Sequence, residues 1–110
     1  MAGLNELAQE CHEIAKSKGW YDTAREVPEL LMLCVSELAE ALEDYRTNDF
    51  WRDGTWLDGS KPAGVGVELA DCIIRILDMV AYLGIDIDLA LQTKMEYNRG
   101  RPYRHGGKRV

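Results

Sequence analysis

The four residues Glu37-Leu38-Ala39-Glu40 recur 31 positions further along the chain as Glu68-Leu69-Ala70-Asp71. Each copy places two carboxylates three residues apart, and on an α-helix residues at this spacing lie on one face. Two such helices packed side by side would bring four carboxylates to one place. Because like charges repel unless a cation lies between them, the repeat predicts a divalent metal site.

Helices are predicted around both copies, since apolar residues recur at helical spacing over most of the chain. Glycines and a proline supply the ends of the predicted helices. The approximate bounds are Leu4 to Lys18 before Gly19, Val27-Pro28 to Arg46, Pro62 or Val65 to Leu83 before Gly84, and Asp86 to Asn98 with Asp86 or Asp88 as N-cap. No alternating apolar run is long enough to predict a sheet. The predicted fold class is all-α, of the four-helix-bundle type.

The second and third helices carry broad apolar faces, which are predicted to form the core. On the second helix this face comprises Leu30, Leu31, Cys34, Leu38, Ala41, Leu42 and Tyr45. On the third it comprises Val65, Leu69, Cys72, Ile73, Ile76, Leu77, Met79, Val80 and Leu83. One short subunit does not cover faces of this width, so a homodimer or a dimer of dimers is expected. The long connection Thr47–Lys61 is interpreted as functional or as part of an oligomer contact.

The composition indicates one small globular domain. The chain has 110 residues, 46% of them hydrophobic and 29% charged, and its net charge is −6. Residues 1–98 are predicted to form the helical domain and residues 99–110 a basic, glycine-rich tail. The acidic body argues against a nucleic-acid surface, and no apolar run is long enough for a membrane span. Three widely spaced cysteines without a C-x-x-C pair favour free thiols and a cytoplasmic location.

Helical geometry also narrows the choice of metal. The two pairs of acids border the apolar faces of their helices, where lost hydration must be compensated. Oxygen ligands favour Mg²⁺, with Mn²⁺ as a substitute, and Ca²⁺ is possible on chemistry alone. Neither His12 nor His105 follows a glutamate by three residues, which disfavours a di-iron or zinc site. The alternative interpretation is that the four acids are solvated surface residues.

The sequence resembles the MazG-like all-α nucleoside triphosphate pyrophosphohydrolases. That family carries Glu-x-x-Glu on one helix and Glu-x-x-Asp on the next, as Glu37, Glu40, Glu68 and Asp71 do here. The similarity extends to the flanks and covers nearly the whole chain. The matching flanks are Gly19-Trp20, Ser36 to Arg46, Lys61 to Asp71, and Lys94-x-x-x-Asn98-x-x-Arg101-Pro-Tyr-Arg-His-Gly-Gly-Lys108.

The resemblance implies Mg²⁺-dependent hydrolysis of NTP or dNTP to a nucleoside monophosphate and pyrophosphate, a role in nucleotide-pool housekeeping. It implies that the four acids hold Mg²⁺, which neutralises the phosphates and orients the attacking water. Lys94 and Asn98 correspond to the family's phosphate- and nucleotide-contacting pair. Many members have a further glutamate where this chain has Ser36. We therefore expect Glu37 or Glu40 to combine metal binding with orienting the water.

Several residues keep two interpretations. Trp20 can stack on a base or serve as a packed anchor, and the same holds for Trp51 and Trp56. Arg101 is expected to contact substrate with the tail, which folds over the triphosphate through Gly106-Gly107 or stays a solubilising extension. Lys94 is a phosphate contact or a solvated helix residue. The alternative functions are a dUTP-specific or phosphoribosyl-ATP pyrophosphohydrolase and a non-catalytic metal-binding helical adaptor.

Overall fold

The computed structural model describes residues 3–53 and 56–104, and within them the chain is mostly helical. The predicted helices form, and their ends lie within a few residues of the expected positions. Their bounds are α1 Leu4–Ser17, α2 Val27–Thr47, α3 Val65–Leu83 and α4 Ile87–Arg99. None of these described helices has the length and apolar composition that a membrane crossing requires. The all-α prediction is therefore confirmed at the level of fold class.

The helix ends follow from residues that the sequence displays. Pro28 lies in the first turn of α2, where its missing N–H removes no hydrogen bond. Gly84 ends α3 with a φ of 71°, a left-handed conformation that glycine adopts without steric cost. Asp86 caps α4, because its side chain accepts a hydrogen bond from the backbone N–H of Leu89 at 3.0 Å.

The connection between α2 and α3 contains a small antiparallel hairpin, so the prediction of no sheet is wrong here. Strand β1, Trp56–Asp58, pairs with β2, Lys61–Ala63, and the turn between them includes Gly59 at a φ of 67°. Strands of three residues are too short to show an alternating apolar pattern, which is why the sequence did not reveal them. A 3₁₀ turn, Trp51–Asp53, precedes the hairpin.

Helix α3 lies at the centre, because both α1 and α2 pack against it. One buried cluster joins α1 to α3 through Ala8, Cys11, Leu77 and Val80. A second joins α2 to α3 through Leu30, Cys34, Cys72 and Met79. These two clusters fix the three helices that carry the candidate site.

Helix α4 is attached through its first turn by reciprocal capping with α1. The Asp88 carboxylate accepts hydrogen bonds from the backbone N–H groups of Leu4 at 2.9 Å and Asn5 at 3.2 Å. The side-chain oxygen of Asn5 accepts one from the N–H of Ile87 at 2.9 Å. Asp88 therefore caps α1 rather than its own helix. No residue of α4 is buried, so this end contact positions the helix.

Much of the predicted core face is not covered within one chain. Leu30, Cys34 and Ala41 on α2 and Cys72, Leu77, Met79 and Val80 on α3 are buried as expected. The prediction is wrong for eight other residues, which are 36–54% exposed: Leu31, Leu38, Leu42 and Tyr45 on α2, and Leu69, Ile73, Ile76 and Leu83 on α3. They form a second apolar strip on each helix, beside the strip that the α2–α3 contact buries.

Candidate metal centre and its cleft

Three of the four predicted acids meet where α2 crosses α3. Glu37, Glu40 and Glu68 each offer a carboxylate oxygen, and these atoms lie within 4.8 Å of one another. Glu37 is buried, Glu68 is half-buried and Glu40 is exposed, so the cluster has an inner and an outer side. Asp71 is outside this set of three but lies beside it, since Asp71 and Glu37 line one cleft.

The register that brings these acids together is set by the cysteines next to them. Cys34 lies one turn before Glu37, and Cys72 follows Asp71 directly. Both thiols are buried at the α2–α3 contact, where the Cys72 Sγ donates to the carbonyl oxygen of Cys34 at 3.4 Å. A small side chain on each helix allows this close approach.

Two carboxylate oxygens in the cluster are buried without a hydrogen-bond partner in the described part of the chain, Glu37 Oε2 and Glu68 Oε2. A buried carboxylate oxygen left in this way is costly unless a proton or cation compensates it. Burial, followed by the close approach of the Glu40 and Glu37 carboxylates, raises the pKa of Glu68 to about 7. Without metal, the cluster therefore retains a proton near neutral pH.

Asp71 is affected in the same direction. Burial and then the charge of Glu37 raise the pKa of Asp71, while the cations of Arg75 and Lys61 oppose the shift. The donors are all carboxylate oxygens, and two of them are buried with no hydrogen-bond partner in the described ranges. Such a set fits a hard divalent cation such as Mg²⁺, Mn²⁺ or Ca²⁺. The residues present thus fit the group that the sequence predicts, without distinguishing among these three ions.

Arg75 makes a contact that the sequence did not predict. Helical spacing places it one turn after Asp71, yet its Nε donates a hydrogen bond across the interface to Glu37 Oε1 at 2.7 Å. The Glu37 side chain is 8% exposed and that of Arg75 29%. This ion pair supplies part of the positive charge that buried Glu37 requires.

A cleft of about 250 Å³ opens beside the acids, between α1, α2 and α3. Its lining combines cations, acids and aromatic rings, among them Trp20, Tyr21, Arg25, Glu37, Asp71 and Arg75. The guanidinium carbons of Arg25 and Arg75 each lie 5.4 Å from the ring centre of Trp20. Trp20 is thus a cleft wall in contact with two cations, and stacking of a base on it stays a prediction.

The inner part of the cleft holds a polar network. Asp78 Oδ1 lies 2.8 Å from His12 Nδ1, and Asp78 Oδ2 accepts a hydrogen bond from the Tyr21 hydroxyl at 2.9 Å. Burial, with this bond to Asp78, raises the pKa of Tyr21 and keeps it neutral. The His12 side chain is 12% exposed, so this histidine lies on the side of α1 that faces α3.

The predicted substrate contacts on α4 lie elsewhere in a single chain. Lys94 and Asn98 are exposed and do not line the cleft beside the acids. The ammonium of Lys94 lies 4.8 Å from the Tyr97 ring centre, and the guanidinium carbon of Arg101 lies 5.3 Å from the same centre. Ser36 donates to the carbonyl oxygen of Leu33 at 2.7 Å, so its hydroxyl is engaged with its own helix.

The remaining aromatic residues and the tail do not add to the cleft. Trp51 packs on Tyr45 at 5.0 Å between ring centres, away from the cleft lining, and Trp56 lies in β1. The predicted contacts of His105, Gly106, Gly107 and Lys108 lie outside the described residues.

Comparisons with protein-family models, curated proteins and solved structures find no match to this chain.

Proposed function

We propose that this protein is a Mg²⁺-dependent nucleoside triphosphate pyrophosphohydrolase that converts NTP or dNTP to the monophosphate and pyrophosphate. The observation that supports it best is the cluster of Glu37, Glu40 and Glu68, whose ligand atoms lie within 4.8 Å of one another. Two buried oxygens that lack a partner among the described residues, Glu37 Oε2 and Glu68 Oε2, are available to a cation there. The cluster lies beside a cleft that contains cations and an indole, which suits a polyphosphate joined to a base.

The proposed roles divide between the inner and outer acids. Glu37, Glu40 and Glu68 hold the metal, with Asp71 beside them as the fourth acid. Mg²⁺ bound there supplies concentrated positive charge for the phosphate oxygens. Glu40 is the acid that orients the attacking water, because it is exposed, whereas Glu37 is buried and paired with Arg75. Lys94, Asn98 and Arg101 are proposed contacts for phosphate and nucleotide, and Trp20 for the base.

The test is release of pyrophosphate from a panel of nucleotides in the presence of Mg²⁺. The panel contains the common NTPs and dNTPs, dUTP and phosphoribosyl-ATP. We expect Mg²⁺-dependent release that EDTA abolishes and Mn²⁺ restores. Turnover confined to dUTP or to phosphoribosyl-ATP would narrow the assignment to one of those specialised enzymes. Metal binding without release from any nucleotide would overturn the enzymatic proposal and leave a metal-binding adaptor.

The exposed apolar strips support a second proposal, that the protein is a homo-oligomer. On α2 the strip is Leu31, Val35, Leu38, Leu42 and Tyr45, with alternating spacings of four and three residues. On α3, Leu69, Ile73 and Ile76 follow the same spacing. This is the pattern by which helices pack in a bundle. We infer that the α2–α3 pair of one copy packs on that of a second, forming a four-helix bundle.

The oligomer is tested by the mass of the protein in solution, measured by light scattering. Leu42→Glu places a charge in the proposed seam, and we expect it to give monomers. Leu57→Glu is the matched control, because Leu57 is 71% exposed on the hairpin and outside the seam. A wild-type protein that is monomeric at micromolar concentration would contradict the proposal, as would a Leu42→Glu variant with unchanged mass.

A further inference from the structure

Arg75 contacts the acid cluster with one edge of its guanidinium, and the other edge has no hydrogen-bond partner among the described residues. Its Nε donates to Glu37 Oε1 at 2.7 Å, and among the described residues this is the one hydrogen bond of its side chain. The N–H groups on Nη1 and Nη2 have no such partner there. Since Arg75 also lines the cleft and is 29% exposed, these donors are accessible from it.

Trp20 contacts this guanidinium and that of Arg25. Both guanidinium carbons lie 5.4 Å from the indole centre. A guanidinium that contacts an aromatic ring through its face keeps the N–H groups at its edge available for hydrogen bonds. Arg25 is fixed further by an ion pair from Nη2 to Glu29 Oε1 at 2.6 Å. Two pre-positioned guanidinium groups therefore face one small cleft.

The electrostatic balance of this cleft depends on what the acids bind. Lys18, Arg25 and Arg75 line it together with Glu37, Asp71 and Asp78, so the charges of the lining balance when all are ionised. A divalent cation held by Glu37, Glu40 and Glu68 would compensate the acids and leave the basic residues in excess. Binding of a metal and binding of an anion should therefore reinforce each other.

The geometry points to Arg75 as a polyphosphate-binding residue that joins the metal centre to the cleft. Its Nε keeps Glu37 in place, and its Nη edge, with Arg25 beside it, binds phosphate oxygens. This inference rests on the proposed function, since it names which residues of this chain hold the polyphosphate of the nucleotide. Planar guanidinium groups suit this task because paired N–H donors match the spacing of phosphate oxygens.

The experiment measures metal and anion binding separately in the full chain. Mn²⁺ binding alone is followed by electron paramagnetic resonance, and binding of inorganic tripolyphosphate in the presence of Mg²⁺ by calorimetry. For Arg75→Gln we expect tripolyphosphate affinity to fall at least about tenfold, as for a lost charge-assisted hydrogen bond. Mn²⁺ affinity should change far less, because all of the proposed metal ligands are retained.

Two further variants keep the inference falsifiable. Arg75→Lys preserves the charge beside buried Glu37, so it can be measured even if Arg75→Gln folds poorly. We expect its tripolyphosphate affinity to lie between those of wild type and Arg75→Gln. Arg52→Gln is the matched control, because Arg52 also contacts an indole, at 5.2 Å from the Trp51 centre, but lies outside the cleft lining. It should match wild type in both measurements.

Three results would overturn the inference. These are an unchanged tripolyphosphate affinity in both Arg75 variants, a parallel loss of Mn²⁺ and tripolyphosphate binding, and no tripolyphosphate binding by wild type. The parallel loss would mean that Arg75 only positions Glu37. Tripolyphosphate binding in a protein that releases no pyrophosphate would instead sustain the inference while the enzymatic proposal fails.

Discussion

The cleft and helix α4 are both proposed to contact substrate, and they differ in how the chain holds them. In the cleft, Glu37 is buried against Arg75, and Arg75 contacts Trp20. On α4, Lys94 and Asn98 are exposed on a helix whose main contact is with α1 at its first turn. The difference is that one chain alone brings the acids of the cluster together, whereas we expect any contact from α4 to depend on how copies assemble. Four predictions test this division.

The largest effect is expected from the acids. Glu40→Gln or Glu68→Gln should lower turnover by about 10³-fold, because each removes a ligand from the proposed metal centre. Mn²⁺ binding should weaken with it. Glu43→Gln makes the same chemical change at an exposed position of α2 outside the cluster. It should keep both wild-type turnover and wild-type Mn²⁺ affinity. Full activity in Glu40→Gln would remove Glu40 from the site.

A smaller effect is expected on α4. Lys94→Ala should lower kcat/KM by roughly 10- to 100-fold, as expected for one lost phosphate contact. It should leave Mn²⁺ affinity unchanged, since Lys94 lies outside the acid cluster and its cleft. Steady-state kinetics and Mn²⁺ titration measure the two quantities. A loss of Mn²⁺ affinity in Lys94→Ala would contradict the expectation that the acid cluster binds metal independently of α4.

Mixing impaired variants tests whether α4 acts in the neighbouring copy. If Lys94 of the partner subunit completes each site, Glu40→Gln and Lys94→Ala subunits should complement after exchange. Random pairing leaves one intact site in each mixed dimer, or about a quarter of wild-type activity. The matched control is Glu40→Gln mixed with Glu68→Gln, which both damage the acid cluster and should not recover. A mixture no more active than the average of its two parent variants would contradict completion of each site by Lys94 of the partner subunit.

The smallest effect concerns pH. The pKa of Glu68 is raised from 4.5 to about 7, so the folded metal-free protein keeps a proton that the unfolded chain loses. Stability from this group is therefore full below about pH 4.5 and is lost as pH rises to about 7. Thermal melts in EDTA should show a Tm that falls by several degrees over this interval. The decrease of Tm with pH should be smaller in Glu68→Gln and in wild type with Mg²⁺.

The sequence was informative wherever the deciding signal is local. Gly84, Pro28 and Asp86 mark helix ends through their own backbone or capping chemistry, and the structure places the ends there. Glu37, Glu40 and Glu68 meet as predicted, because each lies in the same phase relative to its apolar face. Periodicity within each helix thus predicted that these three carboxylates approach one another.

Contacts between helices were less predictable, because the apolar periodicity within each helix does not show how far one helix is shifted along the other. Helical spacing places Arg75 one turn after Asp71, yet its hydrogen bond goes to Glu37 on α2. Asp88 caps α1, although its position suggested a cap for α4. Leu31 and Leu42 were predicted to be core residues and are about half exposed, since an apolar strip does not reveal whether its own chain covers it.

The hairpin between α2 and α3 gives the protein a place to vary in length. Its strands pair with each other from Trp56–Ala63 to Asp58–Lys61, so residues added at the exposed Gly59–Ser60 turn lie beyond the last pair. The entropic cost of closing a loop grows only slowly with the length of the loop. A peptide epitope or a fluorophore-binding tag inserted at this turn should therefore leave the spacing between the two acidic helices intact, which makes the turn suitable for labelling the working protein.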